Sequence, residues 1–431
     1  HIGGSLYNPN FNGTVTSNLL VINGEGISNV DGTIYADKTV INLENLGFDE
    51  ENGGRYMARA GMSLVGDKRL FGTLQITNGR VSNLLALLGK PVDTLDGSLS
   101  GTVDLGGTYN NPNINVVGSI NNVSIDEKVV GDAKVDVALE NRKFKIRTLK
   151  LPVDDGLIAA GGTIDLDGDA DLQIAVRDVD IKPFLPLIGK DIKATGSVTG
   201  VINMTGATKN PKVELSASLA NGSYNGIDID QGFVLATMQD HVINVQRIQG
   251  AKGDYKLSVY GRIPLAALYT TGYLDANDSK AMDMTVDFNE AGMAVIPLVT
   301  DTVQDATGAL KGVVHITGTL DQPQAYGTVS VRNGTMKIKS LGNDIKNIDG
   351  DFSGQQGDFQ SRISMGKGSA GLAAKINWTG HTMTSYRMAA QLEGLNIANE
   401  YVDGPLNGEL YIAEKDGIPT LMGNLNLENI K

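Results

Sequence analysis

Cysteine is absent from this chain of 431 residues, which excludes disulfides and thiolate metal sites without fixing the compartment. Aromatic side chains are scarce, at 5 % with 9 Phe and 1 Trp, fewer than the core of an enzyme this long would carry. No run of about 18 successive apolar residues occurs, so no segment can cross a bilayer as a helix. No basic cluster offsets the formal charge of −13, which speaks against steered binding to nucleic acid or to an anionic bilayer face. Neither a signal peptide nor a starting methionine is present. His1-Ile2-Gly3-Gly4 reads as an excised boundary, so any membrane anchor is expected outside this fragment.

Glycine is what the chain has in quantity: 54 residues scattered through β-branched runs, the mark of many strands joined by tight turns. They are not scattered at random. Asp96-Gly97-Ser98-Leu99-Ser100-Gly101 recurs as Thr195-Gly196-Ser197-Val198-Thr199-Gly200, as Thr307-Gly308-Ala309-Leu310-Lys311-Gly312 and as Asp403-Gly404-Pro405-Leu406-Asn407-Gly408. The leading glycines are 99, 112 and 96 residues apart. Eleven residues after each second glycine stands a proline, at Pro112, Pro211, Pro323 and Pro419. Gly107, Gly206 and Gly318 lie between glycine and proline, with Glu414 in the fourth copy, and Gly4 and Pro9 open the chain as a partial copy. We read the first motif as a glycine turn and the proline as a turn between two strands.

Period-two alternation fills the intervals, as in Val135/Val137/Leu139 and Met388/Ala390/Leu392. Asn-Gly pairs at Asn12-Gly13, Asn23-Gly24, Asn78-Gly79, Asn221-Gly222 and Asn333-Gly334 predict antiparallel hairpins. Once per repeat the alternation breaks. Val81–Leu88 predicts a two-turn helix, Ile181–Ile188 and Ala294–Val299 at best a helical turn, and Asn396–Tyr401 a more polar version.

No linker interrupts the pattern, so one array over residues 1–431 is expected, with phases of about 1–96, 97–195, 196–307, 308–403 and a partial 404–431. The fold class is all-β: an elongated, strongly curved antiparallel sheet with its apolar face folded inward and few short helices. About forty short strands stacked about 4.8 Å apart would make it about 150–190 Å long. The inward residues are expected to be Val103, Leu105, Ile114, Val116, Leu172, Ile174, Val176, Ile202, Met204, Val213, Leu215, Met282, Met284, Val286, Phe288, Val314, Ile316, Val329, Val331, Ile376 and Trp378. These are too small to fill a wide interior, and an open apolar trough costs about 25 cal/mol per Å² unless a ligand covers it. Acyl chains would suit such a trough; a narrow dry core is the other solution.

The run Gly312-Val-Val-His-Ile-Thr-Gly-Thr-Leu-Asp-Gln-Pro-Gln-Ala-Tyr-Gly-Thr-Val-Ser-Val-Arg-Asn-Gly334 is the clearest instance of the glycine, strand, proline-turn, strand style that extends over the whole chain. In this the chain resembles the TamB and AsmA-like family of periplasmic lipid-transfer proteins. The resemblance implies a β-taco, a U-shaped sheet with a hydrophobic groove. It further implies phospholipid transport between inner and outer membranes, and support of outer-membrane protein assembly with a BamA/TamA-type barrel. It also implies an inner-membrane helix lying outside this fragment. Glu414 and the 112-residue third interval depart from strict register.

No catalytic constellation emerges, so no enzymatic activity, cofactor or metal is expected. The four histidines, His1, His241, His315 and His381, have no carboxylate or second histidine at ligand spacing, and His315 should point outward between Val314 and Ile316. Gly366-Lys-Gly368-Ser-Ala-Gly371 fits a dinucleotide fingerprint but precedes strand-like alternation, so a hairpin is expected. Asp165-Leu-Asp167-Gly-Asp169-Ala-Asp171 has Ala170 and Val176 where a calcium loop needs Gly and Glu, and reads as an acidic turn. The competing functional readings are an adhesin-like β-repeat protein, a β-helical polysaccharide-cleaving enzyme and an assembly scaffold that pairs through open sheet edges.

Overall fold

A computed structural model describes residues 1–5, 7–50, 53–87, 89, 94–188, 193–224, 227–253, 255–268, 279–298, 303–320, 322–338, 345–355, 358–365, 367–379, 382–398, 403–415 and 418–427. Contacts divide the chain into two units, His1–Glu214 and Leu215–Lys431. In the first, the thirteen strands from Ile2–Ser5 to Ala194–Ala207 pair antiparallel in sequence order, each strand with the next along this run. In the second, twelve strands from Ile227–Gln239 to Ile418–Leu427 follow the same rule. The strand Lys212–Tyr224 carries the boundary. The protein is all-β and antiparallel throughout, with only short helical segments among the described residues.

The described residues form 26 strands, fewer and longer than the forty short ones expected. Four of the five Asn-Gly pairs account for part of the difference. Asn23-Gly24 does turn a hairpin. Asn12-Gly13, Asn78-Gly79, Asn221-Gly222 and Asn333-Gly334 instead lie inside Asn8–Ile22, Leu70–Arg80, Lys212–Tyr224 and Pro323–Ile338. Asn78, Asn221 and Asn333 hold φ of 54°, 49° and 52°, and register shifts fall beside Asn78 and Asn333. At Asn78 and Asn333 these are β-bulges, in which an extra residue bends one strand without ending it. Tight hairpins are made elsewhere, by pairs without glycine such as Asp126-Glu127, Asn141-Arg142 and Asp240-His241, whose two φ angles are all positive.

The repeated glycine motif is likewise not a turn. It lies within the strands Leu95–Thr108, Ala194–Ala207, Val303–Gly318 and Asp403–Lys415, with a bulge at Gly97 and at Gly308. Its second glycine marks a close approach of neighbouring backbones: at Gly312 (φ 149°) a Cβ would stand 2.0 Å from the carbonyl oxygen of Thr328. The proline marker does follow a turn. Gly4 faces Pro9, Gly107 faces Pro112 and Gly318 faces Pro323, and Glu414 faces Pro419 in the same register although it is no glycine.

Helical segments replace the alternation where expected. Val81–Leu87 is α-helical; Lys182–Phe184 and Leu185–Ile188 form a 3₁₀ and an α turn; Met293–Leu298 is 3₁₀ with Pro297 inside it. The fourth predicted segment is strand through Ala398, and residues 399–402 lie outside those described. An unforeseen turn of helix, Leu265–Leu268, follows the strand Tyr255–Pro264.

The bulge assignment has a measurable consequence. Asn333→Val should destabilise the protein by about 1–2 kcal/mol, the cost of forcing a β-branched residue into the left-handed region. Asn333→Gly should change stability by only a few tenths of that, and urea unfolding of the pair decides; equal losses would exclude a left-handed bulge at 333.

Candidate functional site

Register carries the alternating apolar residues into rows that cross the strands of each unit. In the first unit Leu74, Val103, Val116, Val137, Ile146, Gly162, Leu172 and Met204 face one another in succession. Beside them Gly72, Leu105, Ile114, Leu139, Phe144, Ile164, Ala170 and Gly206 do the same. In the second unit a row runs through Leu310, Val331, Gly350, Ile363, Ala370, Leu392, Gly408 and Leu425. Eight strands thus contribute to each row, with glycine or alanine wherever none of the larger side chains stands.

The predicted inward residues divide by burial. Val103, Leu105, Ile114, Val116, Leu172, Ile174, Val176, Met204, Val213, Leu215, Val286, Phe288, Val314, Ile316 and Val329 are half-buried, and Ile202 is 36 % exposed. Met282, Met284 and Val331 are buried. Met282 and Met284 pack with Val245 against Ile243, Val259, Ile263 and Ile316. Val331 belongs to a dry cluster with Ala291, Met293, Val303, Ala306, Leu310 and Ile348. Ile376 and Trp378 lie in the strand Gly368–Thr379, facing Tyr386 and Met383; their side chains lie outside the description.

The opposite face is polar. Arg147 bonds Asn115 (2.6 Å), Asp136 (2.9 Å) and Glu140 (3.0 Å), and Lys145 reaches Glu140 at 2.6 Å. The Lys145 ammonium, then Arg147, holds the Glu140 carboxyl below the usual carboxylate range. His315 bonds the Thr285 hydroxyl (3.1 Å) and stacks on Tyr326, with ring centroids 5.1 Å apart. Exposed ion pairs of this kind contribute little to stability, so the face is solvated rather than a site.

Burial concentrates at the margin where even-numbered strands end and odd-numbered strands begin, and the segments Val81–Leu87, Lys182–Ile188 and Met293–Leu298 lie there; Leu265–Leu268 and the cluster of Val245, Met282 and Met284 lie at the other margin. In the first unit Val123, Ile125, Val130 and Ala133 form a cluster on which Leu95, Ile120, Leu151 and Phe184 of the 3₁₀ turn pack. At the same margin Ile27, Val30, Tyr56 and Ile76 are buried. Among them sits a carboxylate that sequence reasoning missed. Glu50 is only 4 % exposed; it accepts hydrogen bonds from the Tyr56 hydroxyl, the Arg80 backbone N–H (3.0 Å) and the Asn83 side chain (3.5 Å). Three donors offset the cost of burying a charge. Glu50 lies two residues beyond Phe48 on the same face, and Phe48 stacks on Tyr56 with centroids 4.7 Å apart. No motif announces it, because Glu50, Tyr56, Arg80 and Asn83 meet only through strand register.

Among the described residues no cluster of histidine and carboxylate side chains could hold a metal ion, and no helix is long and apolar enough to cross a membrane. Of the fingerprint-like glycines, Gly368 and Gly371 lie in the strand Gly368–Thr379 and Gly366 lies outside the described residues; the acidic run turns between Gly156–Asp165 and Asp169–Asp180, with Asp165 and Asp167 paired to Lys143 and Arg142. His381 lies outside the described residues. No family model matches the chain, and no similar protein is found among curated proteins or solved structures.

Burial, then the bond to Glu50, pushes the Tyr56 hydroxyl well above its ordinary value of 10.0. Because the folded state binds this proton more tightly, its stabilisation is complete below that value and lost as pH rises beyond it. Tyr56→Phe leaves Glu50 short of a donor and should cost about 1–3 kcal/mol at neutral pH. The difference between wild type and variant should narrow only above pH 10, in denaturant unfolding followed across alkaline pH; narrowing below pH 9 would contradict the assignment.

Proposed function

We propose that this chain carries phospholipids along its apolar face, as part of a periplasmic bridge between inner and outer membranes. The observation that carries this is the row structure of the first unit: apolar side chains in register across eight successive strands, the larger ones half-buried rather than sealed, with nothing larger than Phe144 in its two rows. A row that is unbroken from strand to strand suits a long, flexible, apolar cargo, whose chain can move along it without meeting a polar side chain. The polar face, stapled by pairs such as Arg147–Asp136, suits water.

The same face is dry at the margins, where Ala306 and Val331 are each 1 % exposed. There side chains alone fill the space. The passage is therefore assigned to the half-buried stretch of each strand, not to the clusters.

The likeness in motif style to the TamB and AsmA-like proteins supports the β-taco description, inner-membrane anchorage through another segment and a BamA/TamA-type barrel as partner. These stand as proposals with the lipid reading.

Native mass spectrometry of the purified chain should show co-purified phospholipid. A photo-reactive residue at position 174 (Ile174, half-buried) should capture acyl chains, and one at 173 (Gln173, exposed) should not. Equal capture from both faces, or none from either, would overturn the reading.

A further inference from the structure

The helix Val81–Leu87 is held in an unusual way. It follows the sixth strand, Leu70–Arg80, yet it touches the third, Glu25–Ala36, as well as the sixth and the seventh, Leu95–Thr108. The fourth and fifth strands, Val40–Glu50 and Arg55–Ser63, lie between these in the sheet, so the helix spans them. It does so on the apolar face, because Asn83 meets Glu50 there, beside Phe48 and Tyr56.

What fixes it is polar and sits at its two ends. Asp96 accepts from the Ser82 backbone N–H (3.3 Å), the Ser82 hydroxyl (3.0 Å) and the Arg80 guanidinium (2.9 Å through Nε). Glu50 accepts from Arg80 and Asn83. At the far end the Asn23 side-chain amide donates to the carbonyl oxygen of Leu87 at 2.9 Å, tying the helix to the turn between the second and third strands, 64 residues earlier in sequence. No residue of the helix is itself buried. A helix of seven residues has almost no stability alone, so these end contacts hold it across the third to sixth strands, which carry the buried Ile27, Val30, Tyr56 and Ile76. The segment Met293–Leu298 differs: Met293 is 2 % exposed inside a dry cluster and serves as a fixed plug.

We propose that the helix Val81–Leu87 is a latched cover over the apolar face of the first unit, which swings on its Arg80–Asp96 end and releases at the Asn23–Leu87 contact to admit an acyl chain. This rests on the lipid reading above and adds its regulation. The Asn23 contact is the weaker latch, a single exposed hydrogen bond, whereas the Asp96 end has three donors and a charge pair. Opening one such bond corresponds to about a two- to tenfold change in equilibrium.

The test uses the full chain, which has no cysteine of its own. Asn23→Cys and Leu87→Cys are introduced together and joined by a short bis-maleimide, with each single variant treated alike as control. Uptake of a self-quenched fluorescent phospholipid from dioleoyl phosphatidylcholine vesicles is followed, alongside amide hydrogen exchange of residues 81–87. The joined protein should lose at least tenfold in initial uptake rate, and loading before joining should trap the lipid. Asn23→Ala should raise both uptake and exchange about two- to tenfold. Equal uptake by joined and unjoined protein would overturn the cover while leaving the lipid reading intact. No uptake by the unmodified protein, with no phospholipid co-purified, would overturn the lipid reading and the cover with it.

Discussion

An antiparallel sheet in which every strand turns its apolar residues to one side must bend that side inward or leave it in water, and the bend here is built into single residues. Asn29, Asn45, Asn78, Asn122, Asp178, Asn221, Asn333 and Asn347 hold φ between 49° and 56° within strands rather than in tight hairpins. Most stand a few residues from the same margin of their own unit, near the ends of even-numbered strands or the starts of odd-numbered ones. A short amide or carboxylate side chain tolerates the left-handed region and bonds its own surroundings. Asn333, for instance, donates its backbone N–H to the Asp349 carboxylate at 2.8 Å, and Asn122 donates its own to the Asp132 carboxylate at 2.7 Å. The bulge is thus held on both sides, and the bend it makes brings the apolar ends of neighbouring strands together into the dry clusters.

Burial follows from that bend rather than from side-chain size. With so few aromatic residues the chain cannot fill a broad interior, and it does not try to along the whole strand. Tyr56, Met293 and Val331 are the largest fully buried side chains, and each lies where bulged strand ends and a helical segment converge. Away from the margin the same face of the first unit is occupied by Val, Ile, Leu and Met that keep part of their surface open. The two regions differ in what covers them: side chains at the margin, and by proposal a ligand elsewhere.

The strand class, the antiparallel pairing of sequence neighbours, the proline turns and three of the four helical interruptions were legible from periodicity, because alternation and its failure are local signals. The bulges were not. Asn78-Gly79 and Asn333-Gly334 carry the strongest hairpin dipeptide, and only the continuation of pairing past them, to Arg80 and to Ile338, tells a bulge from a turn. That continuation depends on the partner strand. The reverse error has the same origin: Asp126-Glu127 and Asn141-Arg142 turn hairpins without a glycine, since flanking pairs such as Ile125–Lys128 and Glu140–Lys143 close the loop for them. Some row members, such as Val103, Val116, Leu172 and Met204, were on the expected inward list, and others, such as Leu74, Ile146 and Leu425, were not; that Met282, Met284 and Val331 would be buried while Ile174 and Val176 stay half-open was not legible either, because it depends on which neighbours pairing packs over each residue. Glu50 was invisible for the same reason.

The marker strands Leu95–Thr108, Ala194–Ala207, Val303–Gly318 and Asp403–Lys415 are the seventh, thirteenth, nineteenth and twenty-fifth among the described residues. The interval is always six, an even number, although its length in residues ranges from 96 to 112. In a meander, parity decides at which margin the chain emerges. Within each unit the even interval returns the marker strand in the same direction, and the helical segments before Leu95–Thr108, Ala194–Ala207 and Val303–Gly318 each follow an even-numbered strand. Gain or loss of a hairpin would preserve this arrangement, and gain or loss of a single strand would invert every element after it. The fold therefore admits variation in quanta of two strands, with the slack in residue count taken up by strand ends and connections.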